Sequence, residues 1–339
     1  MPQPDDVTLE TLRQLLCCLG DTIRESVIEG RRLTDTESLS SVASHSSADT
    51  IYQIDKFGED AIRGWFAAQW PGSESVEVIM EGIEEPLCFP RNIHYRDTKW
   101  KCLVDPIDGT RGIMYDKRSA WALSGIAPQR GEATRLSDIV VAAMTELPTT
   151  KQWRADQVSA IRGGGLAAKA FNILEGTASP LLLAPSTATS FRHGFAWMAK
   201  FFPEGRALTA QIEEELWGEL VGIGRDASPT VFDDQYICSG GSFYELMAGH
   251  DRMIGDLRPL VLTRLNLDSS LVCHPYDVVG ALLLKEAGVI YEHPLGGFPD
   301  APLDTTSGIA WVGYANTALA DLARPVLQRI LRKTLLDPR

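Results

Sequence analysis

The chain has 339 residues, of which 44% are hydrophobic and 23% charged. That is room for two packed domains or one large layered one, and it excludes a mainly disordered protein. The net charge is −13, and no block of Lys or Arg interrupts it, so nucleic acid is excluded as a partner on electrostatic grounds.

The first residues, Met1 to Asp6, lack the charged-then-apolar pattern of a signal peptide. No run of about 18 apolar residues would span a membrane, so a cytoplasmic location without membrane contact is expected. The six cysteines, Cys17, Cys18, Cys88, Cys102, Cys238 and Cys273, show no C-x-x-C spacing and read as reduced thiols.

From Val7 to Glu29, Leu12, Leu15, Leu16, Leu19, Ile23 and Ile28 recur at helical spacing, which predicts a long amphipathic helix. The serine-rich stretch from Leu33 to Thr50 offers little to bury and reads as a mobile loop. A second helix is expected from about Asp55 until Pro71 and Gly72 stop it. Val76 to Met80 and Trp100 to Val104 read as strands that deliver Glu81 and Asp105 at their ends. Further strands are expected at Ala120 to Ala127 and Asp138 to Leu147. The region from Thr150 to Asp234 resists parsing, apart from Arg162-Gly163-Gly164-Gly165, which lacks phosphate-loop spacing and reads as a glycine turn. Helices are expected at Phe243 to Gly249, Asp277 to Ala287 and Thr317 to Leu335, with a strand at Ile309 to Tyr314. This alternation favours an α/β layer.

Asp105 and Asp108 stand three apart in Asp105-Pro106-Ile107-Asp108-Gly109-Thr110, directly after an apolar strand. Asp, Pro and Gly also build ordinary turns. The whole run, however, places two carboxylates, a carbonyl and a hydroxyl together at a sheet end. A phosphoaspartate mechanism needs D-x-D, and Pro106 occupies the position where the nucleophile would stand. Each of the six histidines, including His94, His193 and His274, lacks a partner at metal spacing.

The run Val104 to Thr110 resembles the first signature of the inositol monophosphatase superfamily, the magnesium-dependent, lithium-sensitive sugar and inositol phosphatases. Tyr276-Asp277-Val278-Val279-Gly280-Ala281, leading to Glu286-Ala287-Gly288, is similar to its second signature. The resemblance implies a layered α-β-α-β-α sandwich, α/β overall with an α+β N-terminal half, of the inositol monophosphatase/fructose bisphosphatase type. Residues 1–180 would form a first domain and 181–339 a second.

It further implies two or three Mg²⁺ ions, one held by Glu81, Asp105 and the Ile107 carbonyl, a second by Asp105, Asp108 and Asp277. Glu84 and Glu85 follow closely enough that either could replace Glu81. Thr110, backed by Asp55, would act with Glu81 in activating a water that attacks directly. The amides of Gly109 and Thr110 would face the phosphate, with Ser242 near the substrate. Arg111 stands where the family has a small hydroxyl residue and could contact a second anionic group. Tyr276 replaces a Trp and Val289 a Gly, and Leu260 to Leu271 is an insertion.

The expected activity is hydrolysis of an inositol or sugar phosphate. Fructose bisphosphate, phosphoadenosine nucleotides and a catalytically silent phosphosugar-binding homologue are the alternatives. The expected partner is a small phosphorylated metabolite, and a homodimer is left open.

Overall fold

The computed structural model describes residues 6–34, 36–45, 50–83, 85–222, 230–267 and 271–336. The first half runs α1 (Asp6–Leu33), α2 (Thr36–Leu39), β1 (Val42–His45), β2 (Thr50–Tyr52), α3 (Gln53–Gln69), β3 (Val76–Met80), β4 (Leu87–Phe89), β5 (Trp100–Asp108), α4 (Thr110–Ile113), β6 (Ala120–Pro128), β7 (Val141–Leu147), β8 (Arg154–Ile161), β9 (Leu166–Asn172) and β10 (Thr177–Pro180). The second runs β11 (Gly194–Met198), α5 (Arg206–Leu220), β12 (Val231–Phe232), α6 (Ser239–Met247), β13 (Asp251–Asp256), α7 (Arg258–Leu265), α8 (Ala281–Ala287), β14 (Ile290–Glu292), β15 (Trp311–Tyr314) and α9 (Thr317–Leu331).

Eight strands form one sheet in the order β10-β9-β8-β7-β6-β5-β3-β4, and five form a second in the order β12-β11-β13-β15-β14. In the larger sheet only β3 and β5 pair in parallel. Because side chains alternate across a strand, the larger sheet has two apolar faces. Val76, Val78, Cys102, Val104 and Ala122 pack under α1 and α3 through Leu12, Leu16, Leu19, Ile62 and Phe66. Leu103, Trp121, Leu123, Met144 and Val158 face the other way, onto Phe243 and Leu246 of α6 and Leu283 of α8. Beyond those helices lie Trp197, Ile254 and Trp311 on the inner face of the smaller sheet. Its outer face, Met198, Met253 and Val312, is covered by Ile212 and Leu216 of α5 and Leu319, Leu327 and Ile330 of α9. The result is the five-layer α-β-α-β-α sandwich expected from sequence.

Several boundaries differ from expectation. The stretch read as a loop from Leu33 to Thr50 carries α2 and β1, and β1 pairs with β2; its residues 35 and 46–49 lie outside those described. The Trp100 strand continues through Asp108, with irregular pairing to β6 between Asp105 and Asp108. Pro106 cannot donate to the ladder, so it belongs at such an irregularity. The helix expected from Asp277 to Ala287 begins at Ala281, and Asp277 sits in the preceding turn. The unparsed middle is antiparallel β8-β9-β10 followed by β11, α5 and β12. β10 is exposed along its whole length, so burial leaves no alternation there to read. The glycine turn joins β8 to β9, with positive φ at Gly163 and Gly165. The amides of both glycines donate to the Glu286 carboxylate at 2.8 and 2.9 Å.

Candidate active site

The parallel pairing of β3 with β5 aligns Met80 with Val104, so the next residues, Glu81 and Asp105, emerge side by side at the sheet end. The Glu81 amide donates to the Val104 carbonyl at 3.3 Å. Asp108 follows at the end of the same strand, and Asp277 arrives from the turn before α8. Ligand oxygens of Asp105, Asp108 and Asp277 all lie within 4.8 Å of one another. These three, together with Glu81, Ile107, Gly109, Thr110, Arg111 and Ser242, line one cleft. Glu85 is exposed and does not line that cleft, and Glu84 lies outside the described residues.

Each acid of the cluster is oriented by backbone amides. Asp105 Oδ1 accepts from the Ile107 amide at 3.1 Å, and Asp277 Oδ2 from the His274 amide at 2.6 Å. Asp108 accepts from the Ser239 and Gly240 amides at the start of α6, so the second half of the chain aims a carboxylate of the first. Burial pushes the Asp105 carboxyl well above the usual carboxylate range, and Glu81, Asp108 and Asp277 push it further. Burial likewise raises Asp108, with Asp277 adding to it. Burial raises Asp277 to about 6 against the opposing influence of His274. Carboxylates crowded out of water at this spacing favour a proton or a cation among them. An all-oxygen donor set of this kind suits a hard divalent ion. The residues present therefore fit the cation that the sequence implied.

Thr110 Oγ1 lies 2.8 Å from Asp55 Oδ1 and 2.9 Å from the Ile107 carbonyl. Asp55 is the third residue of α3, and its Oδ2 accepts from the Tyr52 amide at 2.7 Å. The helix start thus fixes the acid that meets Thr110. Gly109 has φ +100°, a conformation a side chain disfavours, and an added Cβ would lie 3.0 Å from Cys238 Cβ. Ser242 is buried, and its hydroxyl donates to the Cys238 carbonyl at 2.8 Å. The Arg111 guanidinium lies 5.9 Å from the Tyr52 ring centroid and 5.7 Å from that of Phe202.

Other cleft residues went unnoticed in the sequence. Asp256, Arg258, Phe201, Phe202 and Tyr236 all line it; Cys238 and His274, read in the sequence only as a reduced thiol and as a histidine without a partner at metal spacing, line it as well. No motif marks them.

No family model matches the chain, and no curated protein sequence matches it. Solved structures do. The extragenic suppressor protein SuhB of Bartonella henselae superposes with a TM-score of 0.63 at 17% identity, covering 95% of this chain and 99% of its own. A fructose-1,6-bisphosphatase of Leishmania major gives 0.65 at 12% identity, covering 96% of each chain. Mycobacterium tuberculosis SuhB gives 0.57 at 15% identity over 96% of this chain and 98% of its own. The chain therefore has the inositol monophosphatase/fructose bisphosphatase fold, and it gathers the acids of both signatures at one point of that fold.

Proposed function

We propose that the chain is a phosphomonoesterase that hydrolyses a phosphorylated inositol or sugar with the help of divalent cations, magnesium foremost. The observation that carries this reading is the convergence of Asp105, Asp108 and Asp277 within 4.8 Å, in one cleft with the Thr110–Asp55 pair. Glu81, Asp105 and the Ile107 carbonyl, and Asp105, Asp108 and Asp277, would hold the ions. Such ions would neutralise phosphoryl charge and lower the pKa of an attacking water.

The chain's own residues account for the rest. With its proton directed at Asp55 Oδ1, the Thr110 oxygen is left to accept a hydrogen from a water in the cleft. A proton drawn from that water passes to Thr110 as the threonine proton moves to Asp55. Glu81, beside Asp105, is the second acid that orients the water. The Gly109 and Thr110 amides would meet the phosphoryl oxygens. Pro106 leaves direct attack by water in place of a covalent phosphoaspartate.

The test is phosphate release from a phosphomonoester panel with and without Mg²⁺. Release should require the metal and fall by about 10²–10³-fold in Asp105→Asn. Activity that survives this substitution or chelation, or Mg²⁺ binding without cleavage of any ester, would refute the reading.

A further inference from the structure

The wall of the cleft away from the acid cluster carries a different chemistry. β13 ends at Asp256, which is buried, and the chain turns into α7 with Arg258 two residues on. Arg258 Nε lies 2.9 and 3.0 Å from the two Asp256 oxygens, and Nη2 donates to Oδ2. The Arg258 amide also donates to Asp256 Oδ1 at 3.0 Å, and Nη1 donates to the Leu271 carbonyl at 2.9 Å. Both oxygens of Asp256 are therefore engaged by one neighbour. The hydroxyls of a neutral polyol, which would look to a carboxylate for acceptors, meet a guanidinium here instead.

A guanidinium has five N–H donors. Three of those on Arg258 are engaged, and the other two find no acceptor among the described residues. The side chain is 13% exposed, and the group lines the cleft. Its plane is held by the fork onto Asp256 and by the rings of Phe201 and Phe202, whose centroids lie 4.8 and 5.4 Å away. Phe202 also borders Arg111 at 5.7 Å, so two guanidinium groups flank one ring beside the phosphate position. Without them, a second phosphate would face Glu81, Asp105, Asp108, Asp256 and Asp277 with no cationic side chain against it.

We propose that Arg258 and Arg111, spaced by Phe202, form a subsite for a second phosphoryl group on the alcohol portion of the ester. The substrate is then a bisphosphorylated small molecule in preference to a neutral polyol monophosphate. This rests on the hydrolytic reading above and narrows it.

Fructose 1-phosphate and fructose 1,6-bisphosphate share the ester at C1 and differ in the second phosphate, and p-nitrophenyl phosphate serves as a reference ester. With Mg²⁺, kcat/KM for release from C1 should be about 10-fold or more higher for the bisphosphate, mainly through KM, as expected of charge-assisted hydrogen bonds. Arg111→Gln, at the rim, and Arg258→Lys, which keeps the charge but loses the fork, should each cut that ratio by about 3- to 10-fold. Arg111→Gln decides the matter if the Arg258 variant fails to fold. A ratio of about one in the native protein overturns the subsite, as do variants that slow both fructose esters equally. Hydrolysis of p-nitrophenyl phosphate with a ratio of about one removes the subsite alone. Failure to hydrolyse any of the three removes the phosphatase reading with it.

Discussion

The two ends of β3 and β5 treat buried charge in opposite ways. Near their starts, Glu77 sits opposite Lys101 in the parallel register, with Lys101 Nζ 3.7 Å from Glu77 Oε2 and both side chains buried. Gln129 donates to the same carboxylate at 2.6 Å and also to Thr98 Oγ1 at 2.9 Å. At the far end, Glu81 and Asp105 emerge in the same register, but the hydrogen bonds to Asp105, Asp108 and Asp277 come from backbone amides alone among the described residues. One end completes its charge balance from within the chain. The other leaves room for a cation from outside, and the difference separates a structural pair from a site on the same two strands.

The comparison can be broken first at the structural end. Lys101→Met should leave Glu77 charged and unpaired, destabilising the fold by about 3–5 kcal/mol while the Mg²⁺-induced rise in Tm persists. Denaturant titrations with and without Mg²⁺ would measure both. A loss under 1 kcal/mol, as ~RT-scale surface pairs give, would mean that Gln129 alone satisfies Glu77.

The site end should respond to metal and to pH. Saturating Mg²⁺ at about a hundred times its dissociation constant should add about 2.7 kcal/mol, read as a shift in unfolding midpoint. In the metal-free protein the raised carboxyls bind protons more readily in the folded state than in the unfolded one. Stability should therefore be highest below the ordinary Asp value of 3.8 as far as this cluster goes, and decline as pH rises through about 6, the Asp277 value. A metal-free midpoint that climbs between pH 4 and 7 in step with the Mg²⁺-loaded one would contradict the crowding of these acids.

The smallest effect belongs to the outer layer of the structural pair. Thr98→Val removes the hydroxyl that accepts from Gln129 and should cost about 1 kcal/mol, without altering Mg²⁺ binding.

How much was legible follows from which residues announce themselves locally. Apolar runs ending in acids exposed the ends of β3 and β5, and the two signatures carried Asp105, Asp108 and Asp277. The Thr110–Asp55 contact joins residues 55 apart and came through resemblance, since no local pattern marks it. Asp277 was read as a helix start because acids commonly cap helices. In the fold its carboxylate bonds the His274 amide within a turn, and α8 opens at Ala281. Asp256, Arg258 and Phe202 stayed hidden because their proximity depends on how β13, α7 and the segment before α5 pack. No spacing along the chain encodes that packing. The E-A-G run of the second signature has a clear role only in three dimensions, where Glu286 ties the β8–β9 turn to α8.

The amides of Ser239 and Gly240 that hold Asp108 also set a clock on the site. A chain emerging from the ribosome can fold β3, β5 and their neighbours long before α6 exists, because domains generally fold as units during synthesis. Until α6 docks and Asp277 emerges, Asp108 lacks its donors and the cluster its third acid. The nascent protein thus passes most of its synthesis without the complete acid cluster, and any cation the cluster holds would be taken up in the last steps of maturation.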